Sequence, residues 1–291
     1  MIPWGKSLRA VIAAFLSVVV VLVLSGCAAR PAEPPPTPAA EVDMPVVHEE
    51  LVRSEHRQDD VRLITIRPSG TDPADRLPMV LYLHGRDGVD PTPIPYDTMA
   101  ALERGVRDGA LPAFGLVAVD GGYNPYWHDG SANGDLASML TEEIPAWLRD
   151  RGLGDADGNP FAVTGISTGG FGALNYAIGR EQTGQPVSAV AELAPALPTT
   201  WEHMQEKNAF ATEEEWQQVD PLQRLELLGD VPVGVWIGDV DPFLDGSVRL
   251  VENHPNTPVF TVLPGGHDPS VFEAVGAEMM GFLADNLPAL D

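Results

Sequence analysis

From residue 46 onward the chain alternates short apolar runs with longer stretches of helical periodicity. Val46–His56 and Val61–Pro68 alternate apolar and polar positions, which predicts two antiparallel strands joined by a turn at Arg57–Asp60. Met79-Val80-Leu81-Tyr82-Leu83 is apolar throughout, the pattern of a strand covered on both faces. Further strands are predicted at Phe114–Val119, Phe161–Thr164, Val187–Leu193, Val231–Ile237 and Thr257–Leu263. Between them lie helical patterns at Tyr96–Asp108, Gly134–Arg151, Phe171–Ala177, Ser247–Asn253 and Ser270–Asn286, the second with Pro145 expected to kink it. A hairpin followed by strands alternating with helices predicts an α/β fold with a mostly parallel sheet and helices on both faces. Ala194–Gly229 breaks the alternation, is rich in Glu, Trp and Gln, and reads as a small inserted cap.

The first 45 residues follow a different rule. Lys6 and Arg9 precede an almost unbroken apolar run from Ala10 to Leu24, short for a membrane span and right for the core of a signal peptide. It ends in Leu24-Ser25-Gly26-Cys27, which resembles a bacterial lipobox. The resemblance implies cleavage before Cys27 and lipidation of its thiol, so residues 1–26 are expected to be a lipoprotein signal peptide. Residues 27–45 carry Pro at 31, 34, 35, 36, 38 and 45 and read as an extended tether, leaving 46–291 as the folded domain. The expected location is extracytoplasmic, held to the outer face of the cell membrane.

Composition narrows the partners. With 17 basic and 42 acidic residues the formal net charge is −25, which repels phosphate backbones and anionic headgroups. Nucleic acid is excluded as a partner, and so is polybasic docking on a membrane. Cys27 is the only cysteine, so neither an intramolecular disulfide nor a cysteine zinc site is possible. No metal motif, dinucleotide fingerprint or phosphate loop occurs, and no cofactor is expected.

Candidate chemistry sits at the predicted strand ends. Gly165-Ile166-Ser167-Thr168-Gly169-Gly170 joins a strand to a small-residue helix and has the form of a nucleophile elbow. Such a turn needs residues without bulk on either side of the serine, pushes its hydroxyl out of the sheet, and aims the next backbone N–H at a bound acyl oxygen. Asp241 and His267 end two later strands, giving the order Ser, Asp, His. Imidazole suits the task because it takes and returns a proton near neutrality, while a carboxylate fixes its tautomer. Asp239, two residues from Asp241, is the rival acid, and Asp245 lies four residues on. His84-Gly85-Arg86 ends a fourth strand and offers the backbone N–H of Arg86, or else that of Asp87, as the second oxyanion donor. His84 reads as a brace for that loop, and His128, His203 and His254 as surface residues. Tyr123, Tyr126 and Trp127 either wall a substrate pocket or pin a surface loop.

Leu83-His84-Gly85, the elbow, Gly238-Asp239-Val240-Asp241-Pro242-Phe243 and Pro264-Gly265-Gly266-His267-Asp268 together resemble the esterase family of α/β-hydrolases. That family includes the S-formylglutathione hydrolases (esterase D) and the mycolyltransferases of the bacterial envelope. The resemblance implies an α/β-hydrolase fold, a Ser167–Asp241–His267 triad and an oxyanion hole from the Arg86 and Thr168 backbones. Mycolyltransferases usually carry Glu as the acid and Asp-Gly where this chain has His84-Gly85, so the chain stands nearer the hydrolytic branch. The expected function is a serine carboxylesterase acting on a small-molecule, lipid or glycolipid ester at the cell envelope. An acyltransferase on envelope sugars or lipids is the alternative within the same chemistry, and a catalytically silent binding protein the alternative outside it.

Overall fold

In the computed structural model, which describes residues 44–88, 94–256 and 258–289, strands β1 (Val46–Ser54) and β2 (Asp59–Arg67) form an antiparallel hairpin. The leader, Cys27 and most of the Pro-rich tether lie outside the described residues. β2 pairs antiparallel with β4 (Gly115–Val119), and β4 pairs parallel with β3 (Met79–Leu83). β5 (Ala162–Ile166), β6 (Ala189–Leu193), β7 (Val233–Gly238) and β8 (Val259–Leu263) continue the sheet in parallel. The order across the eight strands is β1-β2-β4-β3-β5-β6-β7-β8. This is the mostly parallel sheet that the apolar runs predict. Every residue of β3 to β7 is buried, whereas the edge strand β8 is partly exposed.

The strand order fixes where a site forms. From β3 the chain steps outward to β4, then returns past β3 to β5 and continues the other way. The connections leaving β3 and β5 therefore part in opposite directions and leave a crevice beyond their carboxyl ends, the usual ligand position in such sheets. The elbow follows β5 and the His84 loop follows β3, so both open on that crevice.

The two-residue period of the strands splits the core into two layers. Leu81, Leu83 and Val163 join Phe171 and Leu174 on one side, while Val80, Tyr82 and Ala162 join Leu102 and Met279 on the other. Helix α1 (Tyr96–Arg107) belongs to the second side. On the first lie a short helix α2 (Leu136–Ser138), a π-helical turn at Met139–Glu143, α3 (Ile144–Asp150) and α4 (Thr168–Gln182).

The 194–229 segment holds only short helices. It forms α5 (Trp201–Gln205), α6 (Glu213–Val219) and two 3-10 turns at Pro221–Gln223 and Leu225–Leu228. Thr200 and Thr212 cap the two helices with their side-chain oxygens. Met204, Trp216, Leu225 and Leu228 join the α4 side of the core, so much of the segment is a flank beside α4. Helices α7 (Leu244–Asn253), α8 (Pro269–Ala274) and α9 (Gly276–Asp285) complete the chain, with α9 packed on α1.

Two helical expectations are corrected. Gly134–Arg151 is not one helix kinked at Pro145: the widened π turn absorbs the break, and Pro145 sits in the first turn of α3, where its missing N–H is not needed. Ser270–Asn286 is two helices, separated at Val275. No helix among the described residues is long and apolar enough to cross a membrane.

Candidate active site

The elbow is a tight reversal between β5 and α4. Ser167 takes φ 57° and ψ −118°, a region that non-glycine residues seldom occupy. Its backbone is held by its neighbours: the Ser167 N–H donates to the Leu193 carbonyl at 3.0 Å, and its carbonyl accepts the Ala196 N–H at 2.8 Å. Gly169 is required by packing, because a Cβ there would lie against the Leu83 and His84 carbonyl oxygens. At Gly165 a Cβ would strike the Gly169 backbone. These two contacts press the start of α4 onto the end of β3 and bring elbow and His84 loop together.

Ser167 Oγ–H donates to Nε2 of His267 at 2.8 Å, and the opposite ring nitrogen, Nδ1–H, donates to Oδ2 of Asp241 at 2.7 Å. Asp241 is buried, and its other oxygen accepts the Phe243 N–H at 2.8 Å. The three side chains thus form one hydrogen-bonded line, drawn from the ends of β5, β7 and β8. Phe243 and Phe272 meet the imidazole edge-on, with centroids 5.2 and 5.4 Å away.

Asp239 has a different role from Asp241. It is exposed, and its Oδ1 accepts the Gly265 N–H at 2.9 Å, bracing the loop that carries His267. Asp268 braces the same loop from the other end by accepting the Gly266 N–H at 3.1 Å, and it caps α8 through the Ser270 N–H. Hydrogen bonds from Ser270 and Gly266 hold its carboxyl below the usual range. Asp245 is exposed in the first turn of α7.

The β3 loop is built around His84, which is buried. The Gly121 N–H donates to its Nε2 at 2.8 Å, so the proton resides on Nδ1, which donates to the Gly85 carbonyl at 2.6 Å. Burial pushes the pKa of this imidazole down, keeping the ring neutral. At Gly85 a Cβ would come within 3.3 Å of Ser167 Cβ, so a small residue lets the loop lie close on the elbow. The backbone N–H groups of Arg86 and Thr168 have no acceptor among the described residues, and both residues line the same cleft as Ser167. Asp87 and Gly88 line it too, with the Asp87 carboxylate 3.6 Å from the Arg86 guanidinium.

The cleft has a volume of about 530 Å³ and is open to solvent. Its walls include Tyr126, Ile166, Phe243 and Phe272, with Asn124 and Lys207 as polar members. Of Tyr123, Tyr126 and Trp127, Tyr126 alone lines it, as a buried side chain packed on Phe171 and Phe210. Trp127 is a core residue: it donates its indole N–H to the His84 carbonyl at 3.1 Å and packs over Gly172 and Gly121, so it supports the loop from beneath. Tyr123 is not among the residues lining the cleft and is 69% exposed. Asn124, Tyr126 and Trp127 all have positive φ, so this short loop is tightly contorted beside the site. His254 is buried rather than on the surface, because its ring turns inward to the Asn256 backbone. His128 stacks on Phe210 and His203 on Phe243, leaving both half-buried.

A protein-family model described as "Putative esterase" matches residues 54–247. The chain belongs to this esterase family. None of the curated proteins matches the sequence. Among solved structures, a ferulic acid esterase superposes with a TM-score of 0.68 at 19% identity, over 84% of this chain and 100% of its own. The S-formylglutathione hydrolase of Agrobacterium tumefaciens gives 0.64 at 16% identity, over 84% of this chain and 96% of its own. MPT51 (FbpC1) of Mycobacterium tuberculosis gives 0.63 at 16% identity, over 84% and 99%. At these identities the superpositions establish the α/β-hydrolase fold, and family membership makes the chain an ester hydrolase.

Proposed function

We propose that the chain is a serine carboxylesterase that works through an acyl-Ser167 intermediate. The observation that carries this reading is the unbroken hydrogen-bonded line from Ser167 Oγ through both nitrogens of His267 to the buried Asp241. His267 Nε2 takes the Ser167 proton as Oγ attacks the ester carbonyl carbon. The carbonyl oxygen gains negative charge and is received by the N–H groups of Arg86 and Thr168. As the tetrahedral adduct collapses, the imidazolium returns the proton to the leaving alcohol. Water then enters, gives its proton to His267 and attacks the acyl carbon, and the same proton restores Ser167. Asp241 holds the ring with Nδ1 protonated and stabilises the imidazolium throughout.

Turnover of a short para-nitrophenyl ester tests the mechanism. Ser167→Ala or His267→Ala should lower kcat by several orders of magnitude. A fluorophosphonate should label Ser167 in the wild type and not in Ser167→Ala. Wild-type turnover by Ser167→Ala would end the proposal.

We further propose that the domain acts at the cell envelope, with Cys27 lipidated after removal of residues 1–26 and the Pro-rich stretch as its tether. The support is the sequence pattern alone. Cys27→Ser should move the protein from the membrane fraction to the soluble fraction, and an unchanged distribution would refute the anchor.

A further inference from the structure

The sequence contains two lysines, Lys6 and Lys207, so Lys207 is the single lysine from residue 46 onward in a chain of net charge −25. It lies in the wall of the Ser167 cleft. Its placement is built. The Asn124 side-chain amide donates to the Lys207 carbonyl at 2.9 Å, and the Asn124 backbone N–H donates to the Arg86 carbonyl at 2.7 Å. One asparagine in a left-handed conformation therefore ties the lysine to the loop that bears the Arg86 amide.

The ammonium lies 5.3 Å from the centre of the Phe243 ring. That ring in turn meets the His267 imidazole with centroids 5.2 Å apart, so the ammonium is no farther from the imidazole than those two distances end to end. An aromatic face holds a cation without neutralising it. No described carboxylate forms an ion pair with Lys207, whereas the other cation of the cleft, Arg86, stands 3.6 Å from Asp87. Lys207 is thus the positive charge of the cleft that the described side chains leave uncompensated. The net charge of −25 disfavours anions at the protein as a whole, and a positioned cation is the local feature that would let the cleft accept one.

We propose that Lys207 reads an anionic group on the substrate, so that the natural ester carries a carboxylate or phosphate a few bonds from the scissile carbonyl. This deepens the esterase reading and rests on it. The half-buried lysine pairs with the anion as the ester settles, and the effect falls on substrate affinity more than on the chemical step.

The test compares matched esters with wild type, Lys207→Met and Lys207→Arg. One pair differs in the acyl part, the mono-para-nitrophenyl ester of glutarate against para-nitrophenyl pentanoate. The other differs in the alcohol part, para-acetoxybenzoate against its methyl ester. Reading the change as a ratio of kcat/KM values removes differences in intrinsic reactivity. In at least one pair the anionic-to-neutral ratio should fall about tenfold in Lys207→Met, chiefly through KM, and return in Lys207→Arg. The wild-type ratio should also shrink with added salt. The pair that responds identifies the side of the ester bearing the anion. Equal ratios in wild type and Lys207→Met for both pairs, with fluorophosphonate labelling of Ser167 intact in each protein, would overturn the proposal while leaving the esterase reading standing. Failure of the wild type to hydrolyse any of the four esters would overturn both.

Discussion

The indole N–H of Trp127 donates to the main-chain carbonyl of His84 at 3.1 Å, and the two rings meet edge-on with centroids 4.9 Å apart. A core tryptophan therefore sets the height of the loop that carries the Arg86 N–H. Trp127→Phe keeps an aromatic ring but leaves a buried carbonyl unpaired and opens space beside Gly172. Unfolding by urea should show a loss of about 2–4 kcal/mol. Because small displacements of a donor are expensive in the transition state, kcat should fall about tenfold or more with a smaller change in KM. An unchanged kcat would separate Trp127 from the oxyanion loop.

The two aspartates that compete for the role of triad acid differ in what they hold. Asp241→Asn disturbs the tautomer of His267 and should lower kcat by about 10³–10⁴. Asp239→Asn leaves an amide oxygen able to accept the Gly265 N–H, so the loss should be under about fivefold. Steady-state turnover of one neutral ester by both variants, with circular dichroism as a check on folding, makes the comparison.

Glu192 lies wholly buried in β6, and neither carboxyl oxygen has a hydrogen-bond partner among the described residues. One oxygen faces Gly170 in the first turn of α4, behind the elbow. Burial raises its pKa well above 4.5, which favours its protonated form in the folded protein. The folded state then binds a proton that the unfolded chain releases, and this contribution to stability is full below pH 4.5 and is lost as pH rises toward the folded pKa. Glu192→Gln cannot ionise. Its stability relative to wild type should improve with pH in that window by about 1.4 kcal/mol per pH unit. Thermal melts of both proteins from pH 4.5 to 8 would show this, and parallel curves would refute it.

Two glycines of α4 make opposite predictions within one helix. Gly169→Ala drives a methyl group into the carbonyls of Leu83 and His84 and should abolish soluble folded protein. At Gly179 nothing lies within 4 Å of an added Cβ, so Gly179→Ala should stabilise by about 0.5–1 kcal/mol. Chemical denaturation reads the second, and soluble yield reads the first.

Much of this architecture is legible in the residues themselves. Continuous apolar runs such as Met79–Leu83 mark buried parallel strands because both faces must be apolar. Gly165 and Gly169 mark the elbow because nothing larger fits between β5, β3 and α4. Partnerships across the chain are not legible, since no local pattern separates Asp239 from Asp241 or a pocket aromatic from a core one. Trp127 and Tyr126 are adjacent in sequence and both buried, yet their contorted backbone sets one beneath the His84 loop and the other in the wall of the cleft. Pro145 predicts a disturbance in its helix, but whether a kink or a π turn absorbs it depends on what that helix packs against. Rarity is a further signal in the sequence, since Lys207 is the single lysine from residue 46 onward.

Ser167 sits at φ 57°, where glycine rests without strain and an L-residue does not. Such a conformation costs on the order of 1–3 kcal/mol, and the proposed acyl chemistry at the Ser167 hydroxyl would account for its retention. Descendants freed from the reaction would therefore not drift at random at this position. Glycine would relieve the backbone at once, so the replacement that silences the esterase most simply is also one that makes the fold more durable.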